Sequence, residues 1–320
     1  MTRGYWKKNH ILDIESLSVG EIHEIMKTTD SFFKLLQSPQ SKVPLLNGKV
    51  VLSLFYENST RTRCSFELAA KKLGADTLDI SVATSAVKKG ETLVDTVDNI
   101  VAMGADAVII RHSASGICHQ LAKALRKDIA VLNAGDGINE HPSQGLLDFH
   151  TMKRYVKDVK GKKITIVGDI LHSRVAHSNI VLLNKFGADV HIVGPSTLLP
   201  SNVEKLGVTK HHTLEPAIEN ADIIMMLRMQ LERQKSGIIP SLGEYINLYG
   251  LNREKLEKYT KPGVLIMHPG PMNRSVEITS DLADDPNYSI ILDQVTSGVA
   301  VRMALLSLTI TGGGLYENVA

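Results

Sequence analysis

Two short polar stretches carry the residue types of an anion site. Ser59-Thr60-Arg61-Thr62-Arg63 sets three hydroxyls and two guanidinium groups side by side. His141-Pro142-Ser143-Gln144 adds an imidazole and a carboxamide. Arginine presents forked donors that match phosphate or carboxylate oxygens. A helix that starts among hydroxyls adds outward-pointing backbone N–H groups and partial positive charge. Such residues can hold a phosphate-like dianion without a glycine-rich loop. Taken alone, Ser-Thr-Arg reads equally as a capped helix with solvated arginines, because Ser and Thr are common N-caps.

Further cationic donors lie at the ends of apolar runs: Arg111 after 107–110, Arg174 after Ser173, and Arg228 ahead of Met229-Gln230. The chain has no G-x-S-x-G, no G-x-x-x-x-G-K-[ST], no G-x-G-x-x-G and no His/Cys metal spacing. The run 164–167 ends in Gly168-Asp169-Ile170, without the glycines a dinucleotide pyrophosphate needs. Arginines plus one histidine suit substrates with several negative charges and no metal or other cofactor. They suit catalysis by positioning and by stabilising an oxyanion.

Composition narrows the classes. A net charge of +2 gives no sign of nucleic-acid binding. The two cysteines, Cys64 and Cys118, fit buried small apolar residues in a reducing cytoplasm rather than a disulfide framework. The first ten residues are polar and basic, unlike a secretory signal, and no apolar run reaches the ~20 residues of a membrane span. At 320 residues, two domains are expected.

The elements that must position these residues can be read from periodicity. The apolar run 50–55 reads as a strand. The run 64–73, with Phe66, Ala69, Ala70 and Leu73 on one face, reads as a helix. Helical spacing also covers 10–37 (capped by Ser18 or Asp13), 92–103, 118–125, 145–155, 248–259 and 295–308; strands are expected at 77–80, 107–110, 130–133 and 264–267. The segment 81–92 carries Lys88 and Lys89 and no periodicity, which marks a loop. His211-His212 reads as a surface pair, and Asp136 and Asp169 as turn residues. A repeat then emerges. Gly48-Lys49, strand, Thr60-Arg61, helix and Gly74-Ala75-Asp76 return at an offset of 113 residues as Gly161-Lys162, strand, Ser173-Arg174, helix and Gly187-Ala188-Asp189. Ala105-Asp106 and Arg111 are echoed by Ala221-Asp222 and Arg228, and His141-Pro142 by His268-Pro269. The expected fold is α/β: two similar Rossmann-like domains with parallel sheets, joined by a linking helix and closed by a C-terminal helix. The expected boundaries are 1–149, with 296–320 packing back on it, and 150–295.

These residues together resemble the aspartate/ornithine carbamoyltransferase family, over essentially the whole chain. Ser59-Thr60-Arg61-Thr62-Arg63 looks like its carbamoyl-phosphate loop, and His141-Pro142-Ser143-Gln144 like its His-Pro-x-Gln motif. Three features point to the aspartate-using branch: Ser143 where ornithine enzymes usually carry Cys, Arg228-Met229-Gln230, and His268-Pro269-Gly270-Pro271. Gly270 departs from the Leu of other branches but leaves a backbone carbonyl available.

The resemblance implies transfer of a carbamoyl group from carbamoyl phosphate to L-aspartate, a step in pyrimidine biosynthesis, without cofactor. It implies that Ser59, Thr60, Arg61 and Thr62 bind phosphate. Arg111, His141 and Thr62 would point at the carbamoyl oxygen, and Gln144 with the Pro269-Gly270-Pro271 loop would hold the carbamoyl NH₂. Arg174, Arg228 and Gln230, with Lys89, would take the aspartate carboxylates. Ser85 and Lys89 would reach into a neighbouring subunit's active site in a homotrimer. Glu57 would pair with Arg174 and Arg233 on domain closure. Regulatory or dihydroorotase chains are possible partners; nucleic acid and membrane are not expected, and the location is expected to be cytoplasmic. The alternatives are another amine acceptor such as ornithine, or a non-catalytic anion-binding relative.

Overall fold

Short apolar runs alternating with amphipathic ones fold as alternating strands and helices. The computed structural model describes residues 5–39, 42–81, 92–229 and 241–313. In chain order these give β1 (His10–Ile11), α1 (Val19–Leu36), β2 (Val50–Phe55), α2 (Thr60–Lys72), β3 (Asp76–Ser81), α3 (Leu93–Ala102), β4 (Ala107–His112), α4 (Ile117–Ala124), β5 (Ala130–Asp136) and α5 (Pro142–Val156). They continue with β6 (Lys163–Val167), α6 (Arg174–Lys185), β7 (Asp189–Val193), β8 (Thr209–His211), α7 (Leu214–Ile218), β9 (Ile223–Met226), α8 (Leu242–Tyr249), α9 (Arg253–Tyr259), β10 (Leu265–Met267), α10 (Ser280–Ala283) and α11 (Ile291–Thr311).

The chain divides into two compact units, Met1–Leu147 with Thr296–Ala320, and Asp148–Val295. Each holds one five-stranded sheet, ordered β1-β5-β4-β2-β3 in the first and β10-β9-β6-β7-β8 in the second. Every ladder between these strands is parallel. A parallel sheet covered on both faces must be apolar on both. Val51, Leu52 and Leu54, and Val108, Ile109 and Ile110, are accordingly fully buried in the first unit, as are Ile223 to Met226 in the second.

The sequence repeat has a physical counterpart in both sheets. In the first unit Lys49 Nζ lies 2.7 Å from Asp106 Oδ1, and the Val50 N–H donates to Asp106 Oδ2 at 2.9 Å. In the second, Lys162 Nζ lies 3.4 Å from Asp222 Oδ1, and the Lys163 N–H donates to Asp222 Oδ2 at 3.0 Å. One carboxylate thus closes the N-terminal end of two adjacent strands in each sheet. The strand orders also agree: β2 is flanked by β3 and β4 as β6 is flanked by β7 and β9. Successive connections leave β2, and likewise β6, in opposite directions. Each sheet therefore has a switch point, where the C-terminal strand ends open a crevice.

Several boundaries differ from the periodicity reading. The segment 10–37 is not helical throughout: His10–Ile11 pairs with β5, and the helix starts at Val19, behind a capping box of Ser18 and Glu21. The helix expected at 64–73 starts at Thr60 instead, which places Arg61 and Thr62 in its first turn. The helix expected at 145–155 starts at Pro142, a residue suited to a first turn because it lacks an N–H. The single helix expected at 248–259 is two. Gly250 packs its backbone against Ile246 and Val276, and Asn252 starts α9 by accepting from the Lys255 N–H at 2.8 Å. The last helix extends beyond 295–308 at both ends; most of its apolar length is buried, which marks a core helix despite a membrane-spanning length. Cys118 is buried as expected, but Cys64 is exposed, on the face of α2 that also leaves Leu68 exposed.

Candidate active site

In the first unit, the loops after β2, β4 and β5 bring the predicted residues to three adjacent strand ends. The loop after β2 passes straight into α2 through Ser59, whose backbone is non-helical (φ −157°, ψ 88°) and whose side chain makes no capping hydrogen bond. The first helical bond runs from the Arg63 N–H to the Ser59 carbonyl at 3.1 Å. The hydroxyl and the first-turn N–H groups are therefore not spent on one another, and that end of α2 keeps its donors for an anion. Thr62 is buried, whereas Thr60 and Arg61 are exposed. Arg63 turns elsewhere, its Nη1 3.2 Å from Asp79 Oδ2 on β3.

Arg111 stands in register with Phe55 at the end of β4. The β4–β5 register shifts between Ile110 and His112, an irregularity of the kind that re-aims a side chain. The Arg111 Nη1 donates to the Ala134 carbonyl at 3.2 Å, and its Nε lies 3.2 Å from Glu57 Oε2, both side chains almost buried. Glu57 thus has a partner within its own unit that sequence spacing did not name.

His141 immediately precedes α5 and is 3% exposed; the Gln144 N–H donates to its carbonyl at 2.9 Å. Two buried carboxylates fix the loop before it. Asp136 accepts from the Gly116 N–H at 2.9 and 3.0 Å and from the Asn139 carboxamide at 3.2 Å. Glu140 accepts from the Ile14 N–H at 3.2 and 3.3 Å. The sequence marks neither as a support, because the backbone N–H groups they hold, those of Gly116 and Ile14, lie far away in sequence.

In the second unit the loops after β6, β9 and β10 play corresponding parts. Gly168 follows β6 at φ 126°, and a Cβ there would meet Leu227 and Tyr245 at 3.1–3.2 Å, so the close approach of β6 and β9 requires glycine. Asp169, 4% exposed, accepts from the His172 N–H at 3.1 Å and faces the His172 ring at 3.0 Å. Ser173, unlike Ser59, does cap its helix, accepting from the Ala176 N–H at 3.2 Å. Arg174 is the first residue of α6 and is buried; Arg228, two residues past β9, is half-buried. Burial first, then the charges of Glu277 and Asp169, push the Tyr245 hydroxyl far above its ordinary value, so it stays a neutral donor.

The loop after β10 carries Pro269, Gly270 and Pro271, the first two half-buried and the third exposed. The His268 Nδ1 accepts from the Gly270 N–H at 2.8 Å. The His268 N–H donates to Gln294 Oε1 at 2.9 Å, and Gln294 donates to Asp148 Oδ1 at 2.7 Å. Gly270 therefore presents its carbonyl from a loop tied down on one side.

Ser85, Lys89, Gln230 and Arg233 lie outside the described residues. His211 is more than a surface residue: its Nε2 lies 2.7 Å from His191 Nδ1, and the other His191 nitrogen lies 3.1 Å from Asp189 Oδ2. Among the described residues no group of three or more His, Cys, Asp or Glu is arranged to hold a metal ion.

Two family models match the chain: the aspartate/ornithine carbamoyltransferase carbamoyl-P binding domain over residues 9–154, and the Asp/Orn binding domain of the same family over 160–309. The chain is 51% identical over 315 residues to the aspartate carbamoyltransferase catalytic subunit of Opitutus terrae, covering 98% of each. Its fold is similar to that of aspartate transcarbamoylase from Trypanosoma cruzi in complex with carbamoyl phosphate and aspartate, with TM-score 0.84, 27% identity, and 94% and 97% of the two chains covered. It is almost as similar to ornithine carbamoyltransferase from Pyrococcus furiosus, with TM-score 0.82, 28% identity, and 95% and 97% covered. Backbone similarity alone therefore does not choose the acceptor.

Proposed function

The chain belongs to the aspartate/ornithine carbamoyltransferase family, and we propose that it transfers the carbamoyl group of carbamoyl phosphate to the amine of L-aspartate. The products are N-carbamoyl-L-aspartate and phosphate, an early step towards pyrimidines. The observation that carries this reading is the hydroxyl–arginine helix start at the switch point of each sheet, Thr60-Arg61 on α2 and Ser173-Arg174 on α6. Each suits one anionic group. Ser59, Thr60, Arg61 and Thr62 take the phosphate. Arg111, His141 and Thr62 donate to the carbamoyl oxygen, and Gln144 with the carbonyls of Pro269 and Gly270 accepts from the carbamoyl NH₂. Arg174, Arg228 and Gln230 take the two carboxylates of aspartate.

The aspartate amine attacks the carbamoyl carbon and forms a tetrahedral oxyanion. Donors already fixed by the fold stabilise that charge without reorganising, and the phosphate that leaves takes up charge beside Arg61 and the α2 N-terminus. The active protein is a cytoplasmic homotrimer in which Ser85 and Lys89 complete a neighbour's site, and Lys89 adds a charge for aspartate. Regulatory or dihydroorotase chains are candidate additional partners.

Aspartate rather than ornithine is favoured by Arg228, since a guanidinium pairs bidentately with a carboxylate and repels an ammonium. Purified protein incubated with carbamoyl phosphate and each amine in turn should form carbamoyl-aspartate from aspartate and little or no citrulline from ornithine. Citrulline as the main product would overturn the choice of acceptor, and no turnover with either would overturn the enzyme reading. Arg228→Ala should raise the aspartate KM by about 10²-fold, the scale of losing a bidentate charged pair, with carbamoyl-phosphate affinity retained.

A further inference from the structure

Arg228 is followed by a residue whose backbone is held at both polar groups. Met229 is fully buried in the second unit's core, and both polar groups of its backbone are held by the segment after β10. The Met229 N–H donates to Glu277 Oε1 at 2.7 Å. The Met229 carbonyl accepts from the Asn273 carboxamide at 3.0 Å, and the same carboxamide donates to Glu277 Oε1 at 2.7 Å. The other carboxylate oxygen, Oε2, accepts from the Asn273 N–H at 2.8 Å. Glu277 itself has no exposed side-chain surface.

A carboxylate removed from water is stable only where donors replace its hydration. Here three N–H donors do so, and all come from Met229 and Asn273. His268 stands on the other side: its Nδ1 accepts from the Gly270 N–H, which leaves the ring proton on Nε2, and Nε2 faces Glu277 Oε2 at 3.8 Å. Glu277 therefore meets both the strand exit that carries Arg228 and the loop 268–274 that carries the Pro269 and Gly270 carbonyls.

The geometry points to Glu277 as the positioning residue of the acceptor half-site: with Asn273 it clamps the Met229 peptide and so sets where Arg228 presents its guanidinium. This rests on the reading of Arg228 as an aspartate ligand. Nothing in the residue types around Glu277 announces the role, since the peptide it holds, that of Met229, lies 48 residues away and its other partner is the nearby Asn273.

Glu277→Gln tests it with little change in volume. One acceptor oxygen becomes an NH₂ that must face either the Asn273 N–H or the Met229 N–H with the Asn273 carboxamide, donor against donor. The expected result is an aspartate KM raised about tenfold or more, a smaller fall in kcat, and a carbamoyl-phosphate KM within about twofold of the parent. Asn273→Ala, at a half-buried position, should shift the aspartate KM the same way by less, and it decides the matter if Glu277→Gln does not fold. A folded variant with unchanged aspartate KM, or one whose two KM values rise together, would overturn the positioning role. Arg228→Ala run alongside separates the failures. If it leaves the aspartate KM unchanged, the acceptor reading itself is wrong; if it raises that KM while the other two variants do not, only the role of Glu277 is lost.

Discussion

His141 and Arg61 sit at comparable places, the start of a helix, yet the fold holds them differently. His141 is almost wholly buried, and its loop is pinned by the carboxylates of Asp136 and Glu140; Arg61 is exposed. A buried, pre-set donor acts on charge that develops in the transition state, whereas an exposed arginine chiefly gathers the ground-state anion. His141→Ala should therefore lower kcat by about 10²–10³ while the carbamoyl-phosphate dissociation constant moves by no more than about threefold. Steady-state rates with equilibrium titration of carbamoyl phosphate check this, and an unchanged kcat would remove His141 from the transition state. The hydroxyl–arginine and His-Pro stretches were legible because their residue types carry chemistry and recur at a fixed offset. The Glu57–Arg111 pair, Asp136 and Glu277 were not. A carboxylate that holds distant backbone N–H groups leaves no spacing in the sequence, and a pair across two adjacent strand ends becomes visible only once the strand order is known.

Among the elements, the edge of the second sheet carries a titratable feature that the active-site chemistry does not use. His191 on β7 and His211 on β8 stack at 5.0 Å with ring nitrogens 2.7 Å apart, so one proton lies between them and a second is opposed by like charge. Burial first, then His191, Lys163 and His212, push the His211 ring below its ordinary 6.5; Asp189 alone opposes this. The sign follows from linkage. The unfolded chain binds a proton at 6.5 that the folded chain resists, so stability rises with pH across that interval and is lost as pH falls below 6.5. Thermal unfolding followed from pH 7.5 to 5 should show a declining Tm, and His211→Gln should flatten the part of that decline nearest 6.5. An identical slope in the variant would show that other groups set it. Periodicity located most of the strands and helices because each sheet is apolar on both faces. It missed β1, which is two residues long and held by pairing rather than by propensity. It also missed the break at Gly250, where helical spacing continues on both sides but the backbone packs against Val276.

For the whole molecule, the sequence repeat foretold two similar α/β units with parallel sheets, because a repeated strand–helix pattern closes into the same kind of sheet twice. A trimeric assembly is an expectation that only the family resemblance supplies: Ser85 and Lys89 carry no signal of their own beyond a polar, aperiodic stretch of sequence. If their loop serves a neighbour, each site in a cyclic trimer takes Arg228 from one chain and Lys89 from the next. Lys89→Ala and Arg228→Ala chains should then each be nearly inactive alone, and each should have the mass of three 35.0 kDa chains by light scattering. Dissociated and reassembled together in equal amounts, they should regain activity. A site is intact when its own chain is the Lys89 variant and its contributing neighbour is the Arg228 variant, which holds for about a quarter of sites after random mixing of a cyclic oligomer. Activity near that fraction of the parent requires a site shared between chains. A mixture no more active than the sum of its parts would place Lys89 in its own chain's site, and the trimer would lose its catalytic reason while the chemistry at Arg61, Arg111 and His141 stood unchanged.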